Sequence, residues 1–437
     1  MKTFKTGGIH PDEMKRLSKD ARIERIETPL LVVLPVIQHI GAPAKTSVKE
    51  GEKVSKGQVV AQANGYVSSP VHASVSGTVV KIEKQTTALG QLCDHIIIES
   101  DSEQKWAGGL CVRRDWKNMG VDHIRALIRD AGVVGLGGAA FPTHVKLSPP
   151  ADRPIDTLII NGIECEPYLT CDYRIMLERS KGIAEGIRII AKVLGVSRTI
   201  VGVEANKRDA FEKMRDMFWS DSDIKTELLK VKYPQGAEKQ LIDALANRQV
   251  PPGRLPLDVG VVVQNIATAF AVFEAVVENK PLVERVVTVT GDGVARPANL
   301  MVPLGTPIKD LLARQGLDEK TKKVVLGGPM MGLAVPALDL PVVKGTSGIL
   351  ALKKIPNFMP GPCIRCGRCI EVCPLRGMAA DMVEAIEAGE VEKYEHLHVL
   401  DCMECGTCTF ACPAHRPIVH YVKKAKAEYA AWKAKKQ

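Results

Sequence analysis

Aromatic side chains are scarce in this chain: eight Phe, seven Tyr and four Trp among 437 residues. That scarcity, with no basic stripe along the chain, excludes a nucleic-acid surface built from stacking rings and phosphate-binding cations. Apolar runs of membrane-spanning length are also missing. The nearest approach, Leu257 to Val277, is interrupted by Asp258, Gln264, Asn265 and Glu274, and fits a strand at Gly260–Val263 leading into a helix. Leu30–Ile37 is apolar over only eight residues and contains Pro35. The expectation is a chain without a transmembrane segment of its own, held at a membrane only through partners. No secretory signal peptide is visible, and with it goes the expectation of a disulfide framework.

What remains is a soluble, globular, mixed α/β chain long enough for two to four domains with real cores. Its formal charge is 59 − 50 = +9. Residues 421–437 hold six Lys and one Glu, a local +5 that suits a solvated or surface-docking helix.

Eight of the twelve cysteines fall in one stretch. Cys363, Cys366, Cys369 and Cys373 precede Pro374; Cys402, Cys405, Cys408 and Cys412 precede Pro413. Each run has the spacing C-x2-C-x2-C-x3-C-P, in which three thiolates converge on one iron–sulfur cubane while the fourth ligates the other. A tetrahedral zinc site needs four ligands and gains nothing from this third cysteine and the following proline. Two coupled [4Fe–4S] clusters are therefore expected, in a reducing compartment. The 28 residues between Cys373 and Cys402 are poor in β-branched residues and helical over Met378–Glu390, which predicts an α-helical ferredoxin unit. Cys93, Cys111, Cys165 and Cys171 lie in no such run and are expected to be packing residues.

Along the chain, residues 1–29 form a polar arm. Residues 30–105 contain short predicted strands at Leu30–Val36, Ser47–Glu52, Gln58–Ala63, Tyr66–Pro70 and Gly77–Glu83, the pattern of a small sandwich or barrel. VKEGEKVSKGQVVAQ followed by SPVHASVSGTVVKI resembles the barrel-sandwich hybrid of lipoyl and biotinyl carriers. The tip Ala63-Asn64-Gly65-Tyr66 has no lysine, so a structural module is expected. Residues 115–280 alternate helix and strand: helix Val121–Ala131, strand Thr157–Asn161, helix Asp172–Leu194, strand Thr199–Val203, helix Asp209–Trp219, strand Leu228–Tyr233, helix Ala237–Ala246, then strand Gly260–Val263 and a helix to Val277. Such alternation implies a parallel sheet with a ligand crevice at the carboxyl ends of its strands. Residues 281–354 return to short strands at Arg285–Thr290, Leu300–Pro303, Lys323–Gly327 and Leu333–Val335 around a helix at Pro307–Gln315, a β-grasp-type insert. The ferredoxin unit spans 355–420 and the basic helix 421–437.

Three polar clusters fall at loop or strand ends. Gly135, Gly137 and Gly138 with Lys146 make a loop whose backbone can approach a phosphate closely, or a structural turn. Asn161, Glu164 and Glu166 follow a strand and suit ribityl hydroxyls and ring N–H groups, or an acidic helix-capping turn. Gln264, Asn265 and Thr268 sit at another strand end, where Asn265 can equally be a helix cap. Three such clusters favour one shared site.

GLGGAAFPTHVKL, NGIECEP and VVVQNIAT resemble the FMN- and NADH-binding signature of the complex I flavoprotein subunit and related hydrogenase and formate dehydrogenase subunits. With a barrel in front and a two-cluster unit behind, the whole order resembles the RnfC family, found in the Rnf ion-translocating electron-transport complex. The resemblance implies a Rossmann-like FMN/NADH domain with non-covalent FMN near Gly135, Gly137, Gly138, Lys146, Asn161, Glu164, Gln264, Asn265 and Thr268. It implies NAD(H) near Phe141, Glu166, Gly236 and Glu238, and hydride exchange by the flavin without a catalytic acid or base. Ile163, Gln264 and Leu136 depart from the complex I motif, which has an acidic residue, Asn and Arg there. The implied partners are integral membrane and ferredoxin-like subunits, on the cytoplasmic face of the cell membrane, with NAD:ferredoxin oxidoreduction coupled to Na+ or H+ movement. The rivals are a non-catalytic iron–sulfur relay and a flavoprotein subunit of a soluble hydrogenase- or formate dehydrogenase-like complex.

Overall fold

A computed structural model describes residues 1–101, 103–356 and 358–436. The N-terminal arm carries β1 (Ile23–Arg25) and leads into β2 (Leu31–Pro35), β3 (Lys45–Thr46), β4 (Lys53–Val54), β5 (Val59–Gln62), β6 (Val71–His72), β7 (Gly77–Thr86) and β8 (Leu92–Ser100). Beyond β1 these make two antiparallel sheets, β2-β8-β7-β4 and β3-β5-β6. Val32, Leu34, Val60, Val79, Ile96 and Ile98 from both enter one core, as expected of a sandwich module. The strands expected at 47–52 and 66–70 are loops. The first is closed into a turn by Glu52, whose carboxylate accepts from the Lys49 N–H at 3.0 Å. Strand β8 went unforeseen, because its consecutive isoleucines break the in–out alternation that marks a half-buried strand.

The α/β unit runs α1 (Val121–Asp130), α2 (Thr143–Lys146), β9 (Thr157–Gly162), α3 (Cys171–Glu178), α4 (Ser180–Leu194), β10 (Arg198–Glu204), α5 (Arg208–Met217), β11 (Ile224–Leu229), α6 (Glu238–Ala246), β12 (Val261–Asn265) and α7 (Ile266–Val276). Its sheet is parallel throughout, in the order β11-β10-β9-β12. From β9 the chain moves outward through β10 and β11 and returns to the opposite side of β9 as β12. The strand order therefore reverses at β9/β12, where open α/β sheets leave a crevice.

Two elements differ from the sequence expectation. The single helix over Asp172–Leu194 is two, broken at Arg179. At the end of α3, Glu178 turns away to accept from Arg174 and from the Ile23 N–H at 3.1 Å. The strand expected at 228–233 lies earlier, at 224–229, in register with β10. Past Leu229 the chain leaves the sheet, and Tyr233 bridges Ile9 of the N-terminal arm instead.

Helices α4 and α7 cross at very short range. A Cβ at Gly186 would sit inside the contact radius of the Ala269 carbonyl oxygen. Gly186→Ala is therefore expected to force the pair apart at a cost of ~1–3 kcal/mol, as for an overpacked core. The check is a lower Tm with unchanged iron content.

The next sheet mixes directions: β1-β14-β13-β17-β15-β16, built from β13 (Glu284–Thr290), β14 (Ala298–Pro303), β15 (Lys323–Leu326), β16 (Leu333–Val335) and β17 (Gly348–Leu352), with α8 (Ile308–Arg314). The arm is thus part of the insert, since β1 pairs parallel to β14. Burial alone would push the Glu284 carboxyl up; Arg25 and Lys280 hold it down at about 2.

The cysteine unit holds α9 (Arg368–Glu371), α10 (Ala379–Glu387), α11 (Thr407–Ala411) and α12 (Ile418–Lys436), with no strand among the described residues from 358 onward. In α12 the buried stripe Ile418, Val422, Ala425 and Tyr429 recurs at helical spacing. Val422, Ala425 and Tyr429 meet Met382, Ala385 and Ile386 of α10, leaving Lys423 and Lys424 outward. Among the described residues no helix is long and apolar enough to cross a membrane.

Candidate functional site

The carboxyl ends of β9 and β12 bring the predicted clusters together. Asn161 Oδ1 accepts from the Ile163 N–H at 3.1 Å, and its Nδ2 donates to the Gly236 carbonyl at 2.8 Å. Asn265 caps α7, with Oδ1 accepting from the N–H groups of Ala267 and Thr268. Its Nδ2 donates to Asp172 Oδ2 at 2.7 Å. Glu164, at φ +48, caps α3 by accepting from the N–H groups of Asp172 and Tyr173 at 2.8 and 3.3 Å. Capping thus accounts for the local hydrogen bonds of both Glu164 and Asn265, and it leaves them side by side through Asp172. Burial, then the Glu164 charge, pushes the Asp172 carboxyl up to about 7 against the opposing Asn265 bond.

The glycine loop lies over this pair. Thr268 Oγ1 accepts from the Leu136 N–H at 2.9 Å, and the loop closes through Gly135 N–H to the Phe141 carbonyl and Ala140 N–H to the Gly135 carbonyl. A Cβ at Gly137 would lie 3.3 Å from Asn265 Cβ, whereas one at Gly138 (φ +107) would meet nothing within 4 Å. No described group accepts from the N–H of Gly137 or Gly138. Gln264 is buried, and its Nε2 has no partner among the described residues. Unengaged donors beside open space fit an anionic, hydrogen-bonding ligand such as a flavin phosphate.

Lys146 donates to Glu238 at 2.6 Å and to the Val263 carbonyl at 2.7 Å, while Phe141 is half-buried. Glu166 is engaged by the insert. Its oxygens accept from the N–H groups of Met331 and Met330 at 2.8 and 3.2 Å, and burial raises its carboxyl against those bonds.

Two buried lysines that sequence reasoning missed hold the 163–169 loop. Lys15, from the arm, donates to the carbonyls of Glu164, Glu166 and Leu169 at 2.9, 3.0 and 2.5 Å. Lys207 donates to the Ile163 carbonyl at 2.7 Å and to Glu204 at 3.1 Å. Burial lowers the Lys15 ammonium, and the Lys207 charge adds to it.

The eight thiols sort into two groups by their electrostatic neighbours. Burial raises Cys369, and Cys366, Cys412 and Cys363 act on it further. Burial likewise pushes Cys408 up to about 12, reinforced by Cys402, Cys405 and Cys373. Each group thus takes its fourth thiol from the other run, and four thiolates with backbone N–H donors suit a cubane. Gly377 N–H donates to Cys373 Sγ at 3.1 Å and Glu404 N–H to Cys402 Sγ at 3.4 Å. Cys363 and Cys366 are exposed, whereas Cys405 is buried against the α/β unit. There the Tyr233 hydroxyl donates to the Cys405 carbonyl at 2.7 Å, and Gly8 N–H to the Val372 carbonyl at 2.8 Å.

Of the four remaining cysteines, Cys93 and Cys171 are buried, Cys165 is half-buried and Cys111 is exposed. Ligand atoms of Cys171, Glu164 and Asp172 lie within 4.8 Å of one another. Both carboxylates of that trio already accept the hydrogen bonds described above.

Four family models match the chain: RnfC barrel sandwich hybrid domain over residues 2–103, Nuo51 FMN-binding domain over 128–274, SLBB domain over 286–334 and 4Fe-4S dicluster domain over 362–415. The C subunit of the proton-translocating ferredoxin:NAD(+) oxidoreductase complex of Clostridium ljungdahlii is 44% identical over 433 residues, covering 98% of this chain and 94% of that protein. Its counterpart in the Na(+)-translocating ferredoxin:NAD(+) oxidoreductase complex of Acetobacterium woodii is 41% identical over 436 residues, covering 99% and 98%. Among solved structures, a chain of the NAD+-reducing [NiFe]-hydrogenase in the air-oxidized state superposes with a TM-score of 0.50 at 20% identity, over 71% of this chain and 66% of that one, a likeness of fold alone. With relatives above 40% identity spanning nearly its whole length, the chain belongs to the RnfC family, the C subunits of ion-translocating ferredoxin:NAD(+) oxidoreductase complexes.

Proposed function

We propose that this chain is the NAD(H)-reactive subunit of an ion-translocating NAD:ferredoxin oxidoreductase, holding FMN in the α/β unit and two [4Fe–4S] clusters in the cysteine unit. The observation that carries this is the pair of unengaged N–H groups at Gly137 and Gly138, with open space at Gly138, beside Asn265 at the strand end where the order reverses. When bound, FMN exchanges a hydride with nicotinamide and single electrons with the clusters.

The chain's own groups position these partners. Gly135, Gly137 and Gly138 present backbone to the flavin phosphate, with the N-terminus of α7 behind them. Asn161, Glu164, Gln264, Asn265 and Thr268 shape the rest of the flavin cradle, and Lys146 pairs with Glu238 at its edge. NAD(H) is placed along Phe141, Glu166, Gly236 and Glu238. No side chain is required as acid or base.

Cys373, Cys402, Cys405 and Cys408 hold the inner cluster, beside Tyr233. Cys363, Cys366, Cys369 and Cys412 hold the outer one, whose exposed thiols face the electron partner. That partner is a ferredoxin-like subunit, and integral membrane subunits hold the chain at the cytoplasmic face of the cell membrane.

The test is anaerobic purification with iron and flavin quantitation, followed by NADH titration monitored by absorbance and EPR. About eight irons are expected, as two cubanes require, with one flavin that bleaches on NADH. A protein with both clusters but no NADH-dependent bleaching is an electron relay and sinks the enzymatic role. Absence of membrane subunits after mild detergent extraction favours a soluble complex instead.

A further inference from the structure

Two fully buried cations of the β-grasp insert stand directly behind the glycine loop. Lys344 Nζ donates to the Gly132 carbonyl at 2.7 Å, and from the barrel side to the Pro70 carbonyl at 2.7 Å and Ser69 Oγ at 3.1 Å. Arg285 donates to the Leu136 carbonyl at 3.2 Å, to the Val286 carbonyl at 3.3 Å and to the carbonyl of Lys344 itself. A Cβ at the adjoining Gly345 would lie 3.2 Å from the Gly138 carbonyl oxygen. The insert therefore grips the loop through two carbonyls, at Gly132 and Leu136, and packs its Gly345 close to the Gly138 carbonyl. The Leu136 carbonyl belongs to the same trans peptide as the Gly137 N–H, so turning it toward Arg285 turns that N–H the opposite way.

Neither cation forms an ion pair with a carboxylate among the described residues. Every acceptor they reach is neutral, and a buried charge without a counter-charge destabilises the site that holds it. Burial accordingly lowers Lys344 to about 7 and lowers Arg285, with nearby Cys171 and Asp172 acting in the opposite direction on the latter. The histidines nearest Lys344 supply no negative charge: burial, then the Lys344 charge, takes His39 down to about 4 and His72 to about 3. A negative group on the far side of the loop would offset both cations through one layer of peptide. Carbonyls bonded to cations also make their peptide N–H groups better donors, since hydrogen-bonded amides polarise one another.

We infer that Arg285 and Lys344 are positioning residues that select a phosphorylated flavin over an unphosphorylated one, so that the β-grasp insert sets ligand specificity without touching the ligand. The inference rests on FMN being the ligand of this loop and adds which residues make its phosphate necessary.

The experiment uses the full chain with both clusters, freed of flavin and titrated separately with FMN and riboflavin by fluorescence quenching. Inorganic phosphate serves as competitor. Wild-type protein is expected to prefer FMN. In Lys344→Met and Arg285→Met the FMN affinity is expected to fall ~10-fold or more, the scale of one unit charge acting over several ångströms at intermediate dielectric. Riboflavin affinity should stay within about twofold, and phosphate should compete less well. Arg285→Lys and Lys344→Arg, which keep the charge, stand in for any variant that loses its clusters, and they should retain most of the preference. An unchanged FMN-to-riboflavin ratio in the Met variants overturns the inference, as do equal losses of both flavins, which would make these residues fold determinants. Wild-type protein that binds neither flavin fails at the earlier step, the identity of the ligand.

Discussion

Cys369→Ala combined with Cys412→Ala is expected to leave about four irons, the content of one cubane, whereas Cys369→Ala combined with Cys373→Ala is expected to leave close to none. Both pairs remove two ligands. Cys369 and Cys412 belong to one group of thiols, with Cys363 and Cys366 as its other members. Cys373 belongs with Cys402, Cys405 and Cys408, although it follows Cys369 by only four residues. The first pair therefore empties one site and the second damages both. Iron analysis and EPR of the reduced proteins decide between this and a sequential arrangement, in which the two outcomes would be exchanged. The surviving inner cluster of the first pair should still be reduced by NADH, since its ligand Cys405 sits against Tyr233 of the α/β unit. Transfer to an added protein acceptor should stall, because the exposed thiols belong to the lost cluster.

The first three thiols of each run were legible because their spacing over a few residues lets them converge, whereas the crossed fourth ligand came from the ordinary ligation pattern of the motif. The parallel α/β unit was legible for a related reason, since helix and strand periods alternate over several elements. Features that depend on distant partners were hidden. Lys15 stands in the run Lys15-Arg16-Leu17-Ser18-Lys19, which looks like a solvated charge cluster, yet its ammonium is buried under three carbonyls some 150 residues away in sequence. Lys344 and Arg285 are equally silent, because a lysine between Val343 and Gly345 gives no sign that three domains close over it. Strand β1 needed the edge of β14 to exist at all. For Glu164 and Asn265, cap and ligand contact compete for the same residue types, and only their meeting through Asp172 puts both at one site.

Substituting Gly138 should cost flavin far more than stability. Its φ of +107 lies where an L-residue is strained, and Gly138→Ala should lose ~1–3 kcal/mol on that account. Beyond the adjoining residues no protein atom lies within 4 Å of the added methyl group, so no clash with the rest of the chain contributes. If that space is where the flavin phosphate lies, the methyl group takes its place against the two unengaged N–H groups. The flavin content of purified Gly138→Ala should then fall below about a tenth of wild type, a loss of about 1.4 kcal/mol or more in affinity. Gly90 in the β7–β8 hairpin provides the control: its φ is +79, nothing lies within 4 Å of its Cβ, and it is far from the β9/β12 switch point in the topology. Gly90→Ala should show a comparable drop in Tm with flavin and NADH-dependent bleaching intact. Equal flavin loss in both variants would mean that backbone strain, and not occupancy of the loop, governs binding.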